Sequence, residues 1–148
     1  MLACSSDMAT KLIYDLDRIR AFSLPLNAVR AKDGQAGIGL ERDGRLVAAV
    51  LYEDINRFNA WVHLAAVPGR HWGNRAFLMA CFTYPFVVCG VRRLSGTVEA
   101  SNKDAQRLDE HLGFKVEAVL RGAAKDGGDV LIYVMHREEC RYVQVPPV

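Results

Sequence analysis

The sequence has little of several features that define other protein classes. Its longest apolar stretch, residues 76–91, is interrupted by Pro85 and Gly90, so we expect no membrane span. The N-terminus has no charged start followed by an apolar block, and we expect no secretion signal. The 19 basic and 17 acidic residues give a formal net charge of +2. This net charge is too small to indicate a nucleic-acid-binding protein. We therefore expect one soluble cytoplasmic domain of 148 residues.

The four cysteines stand apart from one another in the sequence. Cys4, Cys81, Cys89 and Cys140 form neither a close pair nor a spacing typical of metal ligands. In a cytoplasmic chain of this size, such cysteines are usually reduced and buried. We therefore expect no metal site and no disulfide framework.

Hydrophobic patterns and turn signals predict a mixed α/β domain. An apolar face predicts a helix over residues 9–22, with Pro25 ending it. The Asp43-Gly44 pair predicts a hairpin turn. The same reasoning predicts strands at 36–42, 46–53, 59–67, 92–100, 114–121 and 130–136, and a buried helix at 73–84.

The most regular segment, residues 96–122, combines a strand, a capped helix, a glycine stop and a second strand. The Asn102 side chain can accept hydrogen bonds from the free N–H groups at the start of the helix. The apolar residues of the helix share one face, and Gly113 supplies the left-handed residue that ends it. This pattern indicates a strand–helix–strand unit, which many α/β folds contain.

A second segment joins a strand to a helix through a loop suited to an anion. The first turn of a helix has unpaired N–H groups and a partial positive charge. A glycine there allows the backbone to approach a phosphate closely. A solvated basic turn would have the same composition. The loop residues are Arg70, His71, Trp72, Gly73, Asn74 and Arg75.

Taken together and in this order, the two segments resemble the GNAT superfamily of acyl-CoA-dependent N-acyltransferases. Within it, the sequence is most similar to the branch that acetylates the N-termini of ribosomal proteins. The resemblance covers residues 35–138. It implies a single GNAT-type α/β domain, with a mixed, mostly antiparallel twisted sheet flanked by helices on both faces.

The resemblance also implies acetyl-CoA (coenzyme A) as the cofactor. In the family, the strand before the loop splays from its neighbour and pairs with the pantetheine arm through free backbone groups, here those of Ala65 and Val67. Arg75 replaces a small residue of the family loop and itself offers a guanidinium to a phosphate. Asn102 would approach the pantetheine or a bound water. The loop residues implied in binding the pyrophosphate are Arg70, Trp72, Gly73, Asn74 and Arg75.

The implied reaction is direct attack of an amine on the thioester carbonyl, which requires a base. Many family members have a carboxylate where this chain has Trp61. His63 shares a strand face with Trp61 and carries an imidazole, the side chain type suited to proton transfer near neutral pH. It is therefore the candidate base, although a structural role fits it equally well. Asn102 and Glu99 complete the candidate catalytic set.

The family's tyrosine, the acid for the leaving group, is replaced here by Asp109. The sequence departs from the family pattern at Trp61, Arg75 and Asp109. These departures favour an alternative function more strongly than the sequence of an ordinary member would. This alternative is a CoA-binding or catalytically silent domain with a regulatory or interaction role.

The resemblance is compatible with several amine acceptors. The branch suggests a protein N-terminus, and a small-molecule amine or a nucleobase, as in phage-encoded relatives, comes next. A nucleic-acid partner is not favoured, because no interleaving of aromatic and basic residues marks a stacking surface. We expect no membrane partner, and a homodimer is compatible with the sequence.

Overall fold

The computed structural model describes residues 10–27, 29–69 and 72–143. Among these residues, no helix is both long and apolar enough to cross a membrane. A π-helical segment, Tyr84–Val88, extends the second helix. The strands are β1 (Thr10–Ile13), β2 (Ala36–Arg42), β3 (Arg45–Glu53), β4 (Asn59–Ala66), β5 (Arg93–Glu99), β6 (Lys115–Leu120) and β7 (Val130–His136), and the helices are α1 (Leu16–Asn27), α2 (Arg75–Thr83) and α3 (Lys103–Leu112).

The strands form one seven-stranded sheet in the order β1-β2-β3-β4-β5-β7-β6. Only the β4–β5 pair is parallel, and every other neighbouring pair is antiparallel. The turn between β2 and β3 has positive φ at both Asp43 and Gly44, as a two-residue hairpin turn requires. The predicted mixed, mostly antiparallel sheet is confirmed.

Helices cover both faces of the sheet, also as predicted. On one face, Ile19 of α1 packs against Ala49 and Leu51 of β3. On the other face, Phe77 and Cys81 of α2 belong to a cluster with the alternate residues of β3. Helix α3 packs on this second face as well, because its residues join the cluster of β5 and β7 side chains.

The prediction for the N-terminal region was wrong. The predicted helix at 9–22 is replaced by strand β1, followed by helix α1 from Leu16 to Asn27. Backbone pairing of β1 with β2 outweighs the helical spacing of its apolar residues. The helix starts only after Asp15, whose carboxylate accepts a hydrogen bond from the Arg18 N–H. Pro25 lies inside the last turn of α1, where its missing N–H removes one hydrogen bond without ending the helix.

A buried hydrogen bond links β3 to the end of α2. Pro85 has no N–H, so it cannot donate to the carbonyl of Cys81, four residues earlier. The Tyr52 hydroxyl donates to that carbonyl instead. Tyr52 is fully buried, and burial, followed by the neighbouring Cys81, raises its pKa well above the ordinary value. This bond satisfies a polar group that the proline would otherwise leave unpaired in the core.

We predict that Tyr52→Phe lowers the free energy of unfolding by about 1–3 kcal/mol, because the buried Cys81 carbonyl loses its donor. Tyr14→Phe removes the same atom from an exposed side chain and is the matched control. Denaturant unfolding of both variants measures the difference. Equal stability of the two variants would contradict this role of the Tyr52 hydroxyl.

Candidate active site

The centre of the sheet opens where the two parallel strands part. β4 and β5 pair at only three positions, the last being Trp61 with Ser95. Beyond this point β5 continues to pair with β7, and β4 continues to pair with β3. The C-terminal halves of β4 and β5 therefore face each other without direct pairing. This is the splay that the resemblance implied.

The closed end of the splay is held by side chains. The Ser95 hydroxyl donates to Asn59 Oδ1 at 2.7 Å, which joins β5 to β4 directly. Arg93 donates to Ser95 Oγ from Nε at 3.2 Å and forms a two-point contact with Glu117. Ser95 is almost fully buried. These polar contacts fix the point at which the strands begin to separate.

The register of β4 determines which of its backbone groups face the opening. In an antiparallel pair, the N–H and C=O groups of alternate residues point to the partner strand. The Val67 N–H donates to the Val47 carbonyl at 2.9 Å, so Ala65 and Val67 direct their backbone groups toward β3. Leu64 and Ala66 direct theirs toward the opening. The prediction that Ala65 and Val67 offer free backbone groups is therefore corrected to Leu64 and Ala66.

A cleft of about 1050 Å³ extends through the splay. It reaches from the segment after α1 on one face to α3 on the other. Of the predicted site residues, the cleft wall includes His63, Ala65, Trp72, Glu99 and Asn102. Val67, Gly73, Asn74 and Arg75 are not part of that wall.

His63 forms a direct pair with Glu53 on the α1 side of the cleft. His63 Nε2 lies 2.8 Å from Glu53 Oε1, and both side chains are mostly buried. Leu51 is the direct cross-strand partner of His63, and Glu53 lies two residues farther along β3 on the same face. Diagonal neighbours in an antiparallel pair are within reach of long side chains. The sequence analysis did not identify Glu53 as the partner of His63, because that pairing depends on the β3–β4 register.

Several groups hold the Glu53 carboxylate in place. Gln35 Nε2 donates to Glu53 Oε2 at 3.2 Å, and Lys32 Nζ lies 3.5 Å from the same oxygen. Burial acts to raise the pKa of Glu53, but hydrogen bonds from His63 and Gln35 and the charge of Lys32 lower it below the ordinary value. Glu53 is therefore an anion at neutral pH.

An ionised carboxylate only accepts hydrogen bonds, so His63 Nε2 must carry the proton in this pair. In the neutral imidazole, Nδ1 is then the nitrogen with the free lone pair. The carboxylate also stabilises the imidazolium that forms when Nδ1 takes up a proton. This arrangement can orient a base within the cleft.

The start of α2 partly satisfies its own free N–H groups. Asn74 caps the helix, because its side-chain oxygen accepts from the Phe77 N–H at 3.0 Å. Trp72 packs edge-on against Phe77 and reaches the cleft wall. Arg75 begins the helix with an exposed side chain. Arg70, which was also predicted to bind the cofactor, lies outside the described residues.

Asn102 and Glu99 belong to the connection from β5 to α3, across the opening from β4. Asn102 caps α3 by accepting from the Ala105 N–H at 3.1 Å, as its position in the sequence predicted. Glu99 is the last residue of β5, and its backbone carbonyl accepts from the Asn102 N–H. No hydrogen bond between described residues joins either side chain to His63 or Glu53.

Asp109 lies on the same side of the cleft, on α3. Burial, reinforced by the charge of Glu110, raises the pKa of its carboxyl to about 7. Tyr133 and Tyr142, whose hydroxyls could otherwise replace the missing phenol as an acid, do not line the cleft. Tyr133 is fully buried and donates to Glu110 at 3.1 Å, and Tyr142 stacks on the Phe82 ring.

Solved structures share this fold. A crystal structure of mutant forms of the spermidine/spermine N-acetyltransferase SpeG from Vibrio cholerae matches with a TM-score of 0.71 at 16% identity, over 88% of this chain and 96% of that one. A dodecameric structure of spermidine N-acetyltransferase from the same organism has a TM-score of 0.69 at 17% identity, over 87% and 94% of the two chains. No family model and no curated protein matches this sequence.

This chain has the GNAT fold. The expected fold class is confirmed, and at these identities the likeness concerns the fold alone. The similarity to the branch that acetylates ribosomal proteins remains a prediction. Within the GNAT fold, β4 and β5 are the splayed strands, and the His63–Glu53 pair flanks the opening between them.

The raised pKa of Asp109 leads to a prediction about stability. In the unfolded chain this carboxyl titrates near 3.8, and in the folded protein near 7, so the folded state holds the proton longer. The contribution of Asp109 to the free energy of unfolding should therefore fall as pH rises from about 4 to about 7. We predict that Asp109→Asn is more stable than the wild type at pH 8, and that the difference shrinks toward pH 4.

Thermal unfolding across this pH range measures the effect. Asp104→Asn is the control, because Asp104 lies on the same helix with an exposed side chain. A stability difference between Asp109→Asn and the wild type that does not vary with pH would contradict the assignment.

Proposed function

We propose that this protein is an acetyl-CoA-dependent N-acetyltransferase that acetylates a primary amine by direct attack. The observation that carries the proposal is the juxtaposition of an unpaired strand edge and an imidazole–carboxylate pair within one cleft. The fold shared with N-acetyltransferases supports it.

The residues around the splay fit coenzyme A. The pantetheine arm contains amide groups, and the backbone of Leu64 and Ala66 offers donors and acceptors toward the opening. The small Ala65 side chain limits crowding in the cleft wall. Trp72 and Asn102 line the part of the cleft wall where we propose that the cofactor binds. The pyrophosphate would bind at the start of α2, near Gly73, Asn74 and Arg75, with Arg70 from the preceding loop.

When bound, acetyl-CoA supplies an acetyl group activated as a thioester. His63 removes a proton from the attacking amine through Nδ1, because its Nε2 proton is held by Glu53. Glu53 is a positioning residue, which fixes the imidazole and stabilises its protonated form. Asp109, with a pKa of about 7, lies on the other side of the cleft and can supply a proton to the leaving thiolate.

The acceptor that we propose is a cationic amine, either a small molecule or a protein N-terminus. Glu99 lines the cleft, and no described residue forms an ion pair with its carboxylate. An unpaired carboxylate attracts a protonated amine before the proton is removed. The spermidine named for the structural neighbours favours a small amine over a protein N-terminus.

The test combines cofactor binding with turnover. Acetyl-CoA at a hundred times its dissociation constant should stabilise the protein by about 2.7 kcal/mol, and mass spectrometry should detect acetylated amines, spermidine included. We predict that His63→Ala keeps the stabilisation but lowers kcat by about a hundredfold to ten-thousandfold. His111→Ala replaces an exposed histidine on α3 and should leave both properties unchanged.

Glu53→Gln separates the base from the residue that positions it. This variant should reduce kcat less than His63→Ala does, with little change in KM for acetyl-CoA. Stabilisation by acetyl-CoA without acetylation of any amine would favour the catalytically silent alternative. Wild-type turnover in His63→Ala would show that this histidine has only a structural role.

A further inference from the structure

A second chemical feature lies at the other end of β4 and β5, away from the cleft. Phe58 is half exposed just before β4. The guanidinium carbons of Arg57 and Arg92 lie over its ring, at 5.7 and 5.1 Å from the ring centre. We call these three residues the arginine–phenylalanine cluster. None of them lines the cleft.

The backbone holds the cluster in place. Asn56 Oδ1 accepts hydrogen bonds from the Phe58 and Asn59 N–H groups at 2.8 and 2.9 Å, which fixes the turn before β4. The Phe58 carbonyl accepts from the Arg92 N–H at 2.9 Å. Residues that are 34 positions apart in the sequence are therefore neighbours through main-chain contacts.

The positive charge of the cluster is not neutralised within the described residues. Neither Arg57 nor Arg92 forms an ion pair there, whereas Arg93 is engaged by Glu117. The main chain of Arg137 adjoins the cluster, because its backbone N–H donates to the Arg92 carbonyl at 2.9 Å. The buried Arg137 Nε has no hydrogen-bond partner. Arg57 and Arg92 can therefore pair with an anionic partner.

We propose that the arginine–phenylalanine cluster binds single-stranded nucleic acid. Bases stack on aromatic rings and on guanidinium planes, and arginine also contacts phosphates. In a duplex the base faces are already stacked, so a single strand fits better. An acidic peptide would contact the charges alone, whereas a base can also stack on the exposed aromatic ring. With few cationic contacts, we expect weak binding, with a dissociation constant of about 10⁻⁴ M at physiological salt.

Fluorescence anisotropy with a labelled oligouridylate of about ten nucleotides tests this proposal. Binding should strengthen as salt is lowered, and each phosphate contact should add about 0.7 to the salt slope for a single strand. Arg57→Ala and Arg92→Ala should each weaken binding and reduce that slope. Arg121→Ala removes the same charge from an exposed site elsewhere and should have little effect.

The aromatic ring is tested separately. Phe58→Ala should weaken binding by about fivefold or more, since stacking contributes about 1 kcal/mol or more per base. Phe58→Leu keeps the apolar bulk but removes the ring face, so it should show the same loss if Phe58→Ala folds poorly. Retained stabilisation by acetyl-CoA in these variants would show that this surface acts independently of the cleft.

Three results would overturn the proposal. These are absence of binding at 50 mM salt, an equal loss in Arg121→Ala, and displacement of the oligonucleotide by poly-glutamate at the same concentration of charge. The last result would identify a general anion-binding surface rather than one that reads a base.

Discussion

The early end of the pairing between β4 and β5 is the constraint on which the rest of the site depends. Hydrogen bonds among Asn59, Ser95 and Arg93 join the two strands at one end. Each strand is held on its outer side by an antiparallel partner, so the sheet stays intact while its centre opens. Unpaired backbone groups inside a protein are costly. An opening lined by such groups is therefore a natural site for a ligand that carries amides of its own.

The same register also creates the chemical pair in the cleft. Because His63 lies opposite Leu51, the diagonal position on β3 brings Glu53 within hydrogen-bond distance. A shift of one residue would move His63 to the α2 face and turn Leu64 toward α1. Strand pairing thus determines both the free edge that we propose binds the cofactor and the imidazole that we propose acts as base.

The sequence predicted most of the strands, because alternation and turn chemistry are local. Asn102 and Gly113 occupy the helix-end positions that their residue types indicated. The prediction for the N-terminal region was wrong, because pairing with β2 outweighs the helical spacing of its apolar residues. The Glu53–His63 pair and the position of Arg92 over the Phe58 ring depend on contacts between separate segments. No local pattern could have indicated them.

The central claim is that the open edge of β4 binds acetyl-CoA through its backbone. Hydrogen exchange of individual amides, followed by NMR with and without acetyl-CoA, tests this claim most directly. The account predicts that exchange slows at Leu64 and Ala66, whereas Val67, whose N–H is already bonded to Val47, changes little. Unchanged exchange at Leu64 and Ala66 in the presence of saturating acetyl-CoA would contradict it.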